Sequence, residues 1–193
     1  MKVRSMEKIE RTCKTAALPV MLTLILCALL TNTSYAATAK EIDVSVDVAL
    51  ERFYNEVKGG KEFLKSAKGV LVFPGVFKAG IGIGGEYGEG ALRINGKTVD
   101  YYNTAAASIG FQLGAQKKAV ILVFMADDAL KKFRDSSGWE AGVDGSVALV
   151  KLGAGGTIDT TSIKDPIVGF IFGQKGLMYN LTLEGSKYTK IRK

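Results

Sequence analysis

The chain of 193 residues contains no histidine and only two cysteines. Without an imidazole, Ser-His-Asp and Cys-His catalysis and every histidine-ligated metal site are excluded. Long apolar runs are also scarce. The uncharged stretch Ala16–Leu30 falls short of the roughly twenty residues a spanning helix needs, and it contains Pro19. Lys2, Arg4, Lys8, Arg11 and Lys14 precede it and Ser34-Tyr35-Ala36 follows, which is the order of a secretory signal. Residues 1–36 are therefore read as a signal peptide cleaved after Ala36, and the protein is expected to be periplasmic or extracellular, free or peripheral to a membrane. Lipidation at Cys27 would need a small residue before it, and Leu26 stands there. Cys13 and Cys27 both leave with the leader, so the exported chain has no disulfide and must be held by a core.

Charge of one sign is equally modest. The net charge is +7, and the leader removes five basic and two acidic residues, leaving +4. That is too little for a nucleic-acid binder. Nucleotide binding fails on context. Gly80-x-Gly82-x-x-Gly85 fits the dinucleotide spacing, but a helix must open at those glycines to meet the pyrophosphate. Glu86-Tyr87-Gly88-Glu89-Gly90 follows instead. Glu86 and Glu89 read as solvated hairpin residues, and either Asp127 or Asp128 reads as a helix cap, not as a hydrolytic dyad. No calcium-loop spacing occurs. The expectation is a protein without enzymatic activity and without a cofactor.

Glycine, by contrast, is abundant, with 23 residues, and is densest between Ala67 and Leu92. Each glycine costs a helix interior about 1 kcal/mol against Ala, so this segment reads as bent strands with backbone close to backbone. Before it, Ile42, Val46, Leu50, Phe53 and Val57 fall on one face of a helix ended by Gly59-Gly60. That helix is acidic at Glu41, Asp43, Asp47, Glu51 and Glu56. A short helix over Lys61–Lys68 follows. Asn95-Gly96 predicts a two-residue hairpin turn, and the apolar run Ala119–Ala126 predicts a strand buried on both faces. A helix after Asp127, then strands at 141–152, 167–172, 177–183 and 188–191, complete the reading. Gly110–Lys117 echoes Gly169–Lys175 without a regular period, which excludes a solenoid. The expected fold is α+β: an antiparallel β-barrel or sandwich of bent, glycine-rich strands with a few short helices at one end.

Three motifs in order, AKGVLVFPGVFKAGIGIGGEYGEGAL from Ala67, VDYYNTAAASIGFQLGAQ from Val99 and VILVFMADDALKKF from Val120, resemble the SYLF domain family. The resemblance covers nearly all of residues 38–193 and implies a single lipid-binding domain. Eukaryotic members bind phosphoinositides and actin regulators, and bacterial members are exported. Family membrane binding is associated with an amphipathic N-terminal segment and a positive surface. The corresponding positions here are the Ile42–Val57 helix and Lys61, Lys65, Lys68 and Lys78, of which the first three share a helical face. An anionic phospholipid or phosphoinositide surface is the expected partner, with another protein as a further partner and neither nucleic acid nor nucleotide. The rival expectation is a soluble periplasmic interaction or stress-protective module with no lipid ligand.

Overall fold

The structure, a computed structural model, describes residues 37–151, 165–176 and 182–193. The leader at 1–36, the glycine cluster Gly153–Gly156 and most of the strand expected over 177–183 lie outside the described residues. The first element is α1, Ala39–Glu56. It begins at a capping box: the Glu41 N–H donates to the Thr38 hydroxyl, and the Thr38 N–H donates back to the Glu41 carboxylate at 2.7 Å. Those bonds from Thr38, the backbone one first, hold the Glu41 carboxyl below its usual range. Helix α2, Gly60–Lys65, is one short turn and a half. The Lys68 N–H then donates to the Phe124 carbonyl and brings the chain into the sheet.

Two very long strands follow, β1 (Gly69–Ile94) and β2 (Lys97–Phe124), paired antiparallel from Gly69↔Phe124 to Ile94↔Lys97. The expected turn joins them, with Asn95 at φ 51° and Gly96 at φ 76°, the left-handed pair a tight hairpin requires. Pro74 sits in a register shift between Phe73 and Val76, where its missing N–H removes no ladder bond. The hairpin curls back on itself. A Cβ on Gly90 would lie 2.1 Å from the Val72 carbonyl oxygen, and one on Gly80 would lie 2.4 Å from Gly84 Cα, so the close approach of the two halves depends on absent side chains.

Helix α3 (Asp127–Asp135) follows β2. Its N-cap is Ala126, which has no side-chain cap, so neither Asp127 nor Asp128 caps it. Both stand in the first turn, where a carboxylate is favoured by the helix dipole. The remaining strands are β3 (Trp139–Glu140), β4 (Ala148–Lys151), β5 (Ile167–Gly176) and β6 (Lys187–Ile191). They are ordered β3-β6-β2-β5-β4, with β1 also on β2. Every pair is antiparallel except β4 with β5, which is parallel. The fold is thus α+β, a curled mixed sheet forming a half-barrel with a few short helices.

Period two along the strands divides the core in two. On the outer face, Val72, Ala91, Ile121, Val123, Val168 and Phe170 pack under α1 and α2 through Ile42, Val46, Phe53 and Phe63. On the inner face, Leu71, Phe73, Leu92, Tyr102, Leu122 and Phe124 close around α3. There the Phe133 ring meets Tyr102, Phe124 and Trp139 at centroid distances of 4.9, 4.8 and 5.6 Å. Because both faces of β2 are covered, its run Ala119–Phe124 is buried throughout, as the unbroken apolar sequence predicts.

Candidate functional site

Lys61 and Lys65 are exposed on α2 and stand at a groove of about 650 Å³ between α1, α2 and the start of β1. Its apolar lining comes from Leu50, Tyr54, Leu64, Ala67 and Val70, while Asp47, Glu51 and Arg93 add polar groups. The volume lies within the range of small-ligand clefts. Lys65 lies 3.6 Å from Glu62, a solvated pair one helical turn away. Arg93 is 16% exposed and is held by Asp47 at 2.8 Å, with Asp43 close by. Asp43 also accepts from the Thr98 hydroxyl at 2.7 Å and the Tyr101 hydroxyl at 2.9 Å. Two of the acids that make α1 acidic in sequence are therefore ties between that helix and the hairpin end.

The other predicted positions separate. Lys68 lies beyond the end of α2, is paired with Asp127 at 3.1 Å and does not itself line the groove. Lys78 is 6% exposed and lies on the inner face of β1, so it does not share a surface with the other three lysines. The expectation that α1 offers an apolar face to a membrane also needs correction. Ile42, Val46, Ala49 and Phe53 are core residues against the sheet, and only Val44 and Val48 are large apolar side chains exposed on that helix.

A buried polar set was missed by the sequence reading. Lys118 Nζ lies 3.0 Å from Glu86 Oε2, with side chains 1% and 7% exposed, so Glu86 is an interior ion-pair partner and not a solvated hairpin residue. Thr104 and Gln116 share this inner face and are also buried. Gln116 Oε1 and the Tyr188 hydroxyl have no hydrogen-bond partner among the described residues. Burial, the largest cause, pushes the Tyr188 phenol well above its ordinary pKa, and Ser186, Glu86 and Thr104 lie close enough to modulate it. The signal was present as period two: Lys118 has the parity of Val120, Leu122 and Phe124. Burial on both faces of β2 hides that parity in the sequence.

Elsewhere the charges neutralise one another. Asp100, with a side chain 9% exposed, receives both Arg134, at 3.1 Å, and Lys190. Glu89 receives Lys193 at 2.9 Å. No group of three potential metal ligands occurs among the described residues.

Residues 105–193 match the sequence model of the Ysc84 family, described as Las17-binding protein actin regulator. That match, over just under half of the chain, is consistent with a SYLF domain family protein. No curated protein matches the chain. The matched part begins inside β2 and takes in α3 and β3 to β6, while β1, the hairpin partner of β2, lies before the match. None of the four predicted lysines falls in the matched part. Lys117, Lys118 and Lys175 do.

Proposed function

We propose that this protein is a non-enzymatic, exported module that binds anionic phospholipid or phosphoinositide head groups through a basic surface. The observation that carries the reading is the groove at which Lys61 and Lys65 stand over an apolar floor, a pairing of cation and apolar surface suited to an amphiphile's head group and upper chain. At the family level the SYLF domain is associated with lipids and with actin-regulating proteins, which supports the same class of partner. Each lysine close to an anionic bilayer contributes about 1 kcal/mol. No helix among the described residues is long and apolar enough to cross a membrane, so contact through these helices would be peripheral. The lack of histidine, and the closure of half of the described carboxylates in ion pairs, support the absence of catalysis.

The test is flotation of the protein, purified from an exporting cell, with vesicles of phosphatidylcholine and phosphatidylglycerol. Binding that weakens with added salt and falls in K61Q/K65Q, with melting unchanged, is the expected result. The rival reading, a protein-interaction module with no lipid ligand, is favoured by the family description as a Las17-binding protein. It predicts that the protein stays with the unbound fraction at every lipid composition.

A further inference from the structure

On the outer face of the sheet, beyond the part covered by α1 and α2, three neighbouring strands place Phe77, Lys117 and Lys175 in one row. Phe77 is the cross-strand partner of Lys117, and Lys117 is the partner of Lys175. All three are exposed. Lys117 Nζ lies 4.9 Å from the centroid of the Phe77 ring, a cation held over an aromatic face. Like charges directly opposite each other across a sheet repel. The usual remedy is an interposed acid, and among the described residues neither lysine has a carboxylate within ion-pair distance.

The apolar surroundings of this pair are equally unusual. Phe77 is 59% exposed and Ile83, across the bend at Gly80–Gly84, is 72% exposed. Among the residues whose side chains are described, Ala79 with its partner Ala115 and Gly85 with its partner Ala107 are small and exposed beside them. Large apolar side chains left in water beside an uncompensated pair of cations match the two layers of a lipid interface, hydrocarbon below and phosphate above. An acidic protein surface would satisfy the lysines and leave Phe77 and Ile83 without a function.

We infer that this corner of the half-barrel is a membrane-contact site, at which Lys117 and Lys175 bind head-group phosphates of an anionic bilayer while Phe77 and Ile83 enter its interfacial layer. The inference rests on the lipid-binding reading above but assigns the contact to a different surface, whose two lysines lie in the part of the chain that matches the family. The repulsion between the two lysines in the free protein then has a function, because an anion at the membrane removes it.

The protein and its variants are titrated with vesicles of phosphatidylcholine and phosphatidylglycerol, and with phosphatidylcholine alone. K117Q/K175Q is expected to bind the anionic vesicles about thirtyfold more weakly, about fivefold per lysine, the equivalent of about 1 kcal/mol each. Its melting temperature should be unchanged or slightly higher, since a like-charge pair is removed. K117R/K175R keeps both charges and should bind as the parent, which separates loss of charge from loss of fold. Phe77→Trp should shift its emission to the blue and be quenched by brominated lipid, while the buried Trp139 stays silent. If the parent binds anionic vesicles and K117Q/K175Q binds as well, the inference falls and the groove at Lys61 and Lys65 retains the function. If the parent binds neither vesicle, the inference and the lipid-binding reading fall together. Equal binding of the parent to both vesicle types would refute the role of the two lysines.

Discussion

Replacing Glu86 by Gln leaves Lys118 as an unpaired cation in the interior of the half-barrel. At 3.0 Å and an effective dielectric of about 20, the attraction between the two charges is on the order of 5 kcal/mol. Most of that is offset by the cost of taking both groups out of water, so the pair itself contributes little net stability. Breaking it is different, because the surviving charge keeps its desolvation cost and loses its compensation. E86Q and K118M should each destabilise the fold by about 3–5 kcal/mol, whereas E86Q/K118M, with neither charge, should cost far less than their sum. Equilibrium unfolding in urea, followed by the fluorescence of the sole tryptophan, reads this directly, since Trp139 is packed against Phe133 and Tyr188 in the same inner cluster. Single variants within about 1 kcal/mol of the parent, or a double variant that costs the full sum, would show that water reaches the pair and that the interior polar set is not closed.

Gly90→Ala puts a methyl group 2.1 Å from a backbone oxygen and should cost at least about 1–3 kcal/mol, while Gly85→Ala, with nothing within 4 Å, should melt with the parent. Thr38→Ala removes the capping box of α1 and should lower stability by about 0.5–2 kcal/mol in urea unfolding. Burial pushes the Tyr102 phenol up to about 12 from 10.0, so its contribution is whole below pH 10 and is lost as pH rises toward 12, where the unfolded phenol ionises and the folded one does not. Y102F should therefore flatten the alkaline loss of stability by roughly 1–3 kcal/mol yet change little at neutral pH, because the Tyr102 hydroxyl has no hydrogen-bond partner to lose among the described residues. Intact mass of the exported protein is expected to begin at Ala37 with no acyl chain; a retained leader would refute the signal-peptide reading.

Local rules carried the sequence reading where one signal dominated. Asn95-Gly96 could only be a tight turn, the spacing of Ile42, Val46 and Phe53 could only be one apolar face of a helix, and Ala119–Phe124 had to be covered twice. The reading failed where one residue type has two meanings. The glycines between Gly80 and Gly90 were not among these failures: they read as bent strand with backbone close to backbone, and β1 runs through the bend as one strand. Glu86 and Lys78 looked solvated because charge usually is, and only the curl of the sheet turns their shared parity inward. The apolar face of α1 was legible as a face, but nothing local could tell whether a sheet or a bilayer would cover it. Lys117 and Lys175 lie far apart in sequence, and their adjacency is a product of the β2–β5 register alone.

The long hairpin has a kinetic consequence. Its turn at Asn95-Gly96 can close early, but the pairing of Gly69 with Phe124 comes last in any zipper that starts there, and β5 docks on that last-paired end of β2, whereas β6 docks nearer the turn. Until then the run AVILVF is an apolar strand with both edges unpaired, the kind of segment that joins its own copies. With so many contacts distant in sequence, folding should be slow for a chain of this length. A protein of this design gains from passing its early folding under the protection of a holding chaperone, and its yield should fall with concentration well before its equilibrium stability is in question.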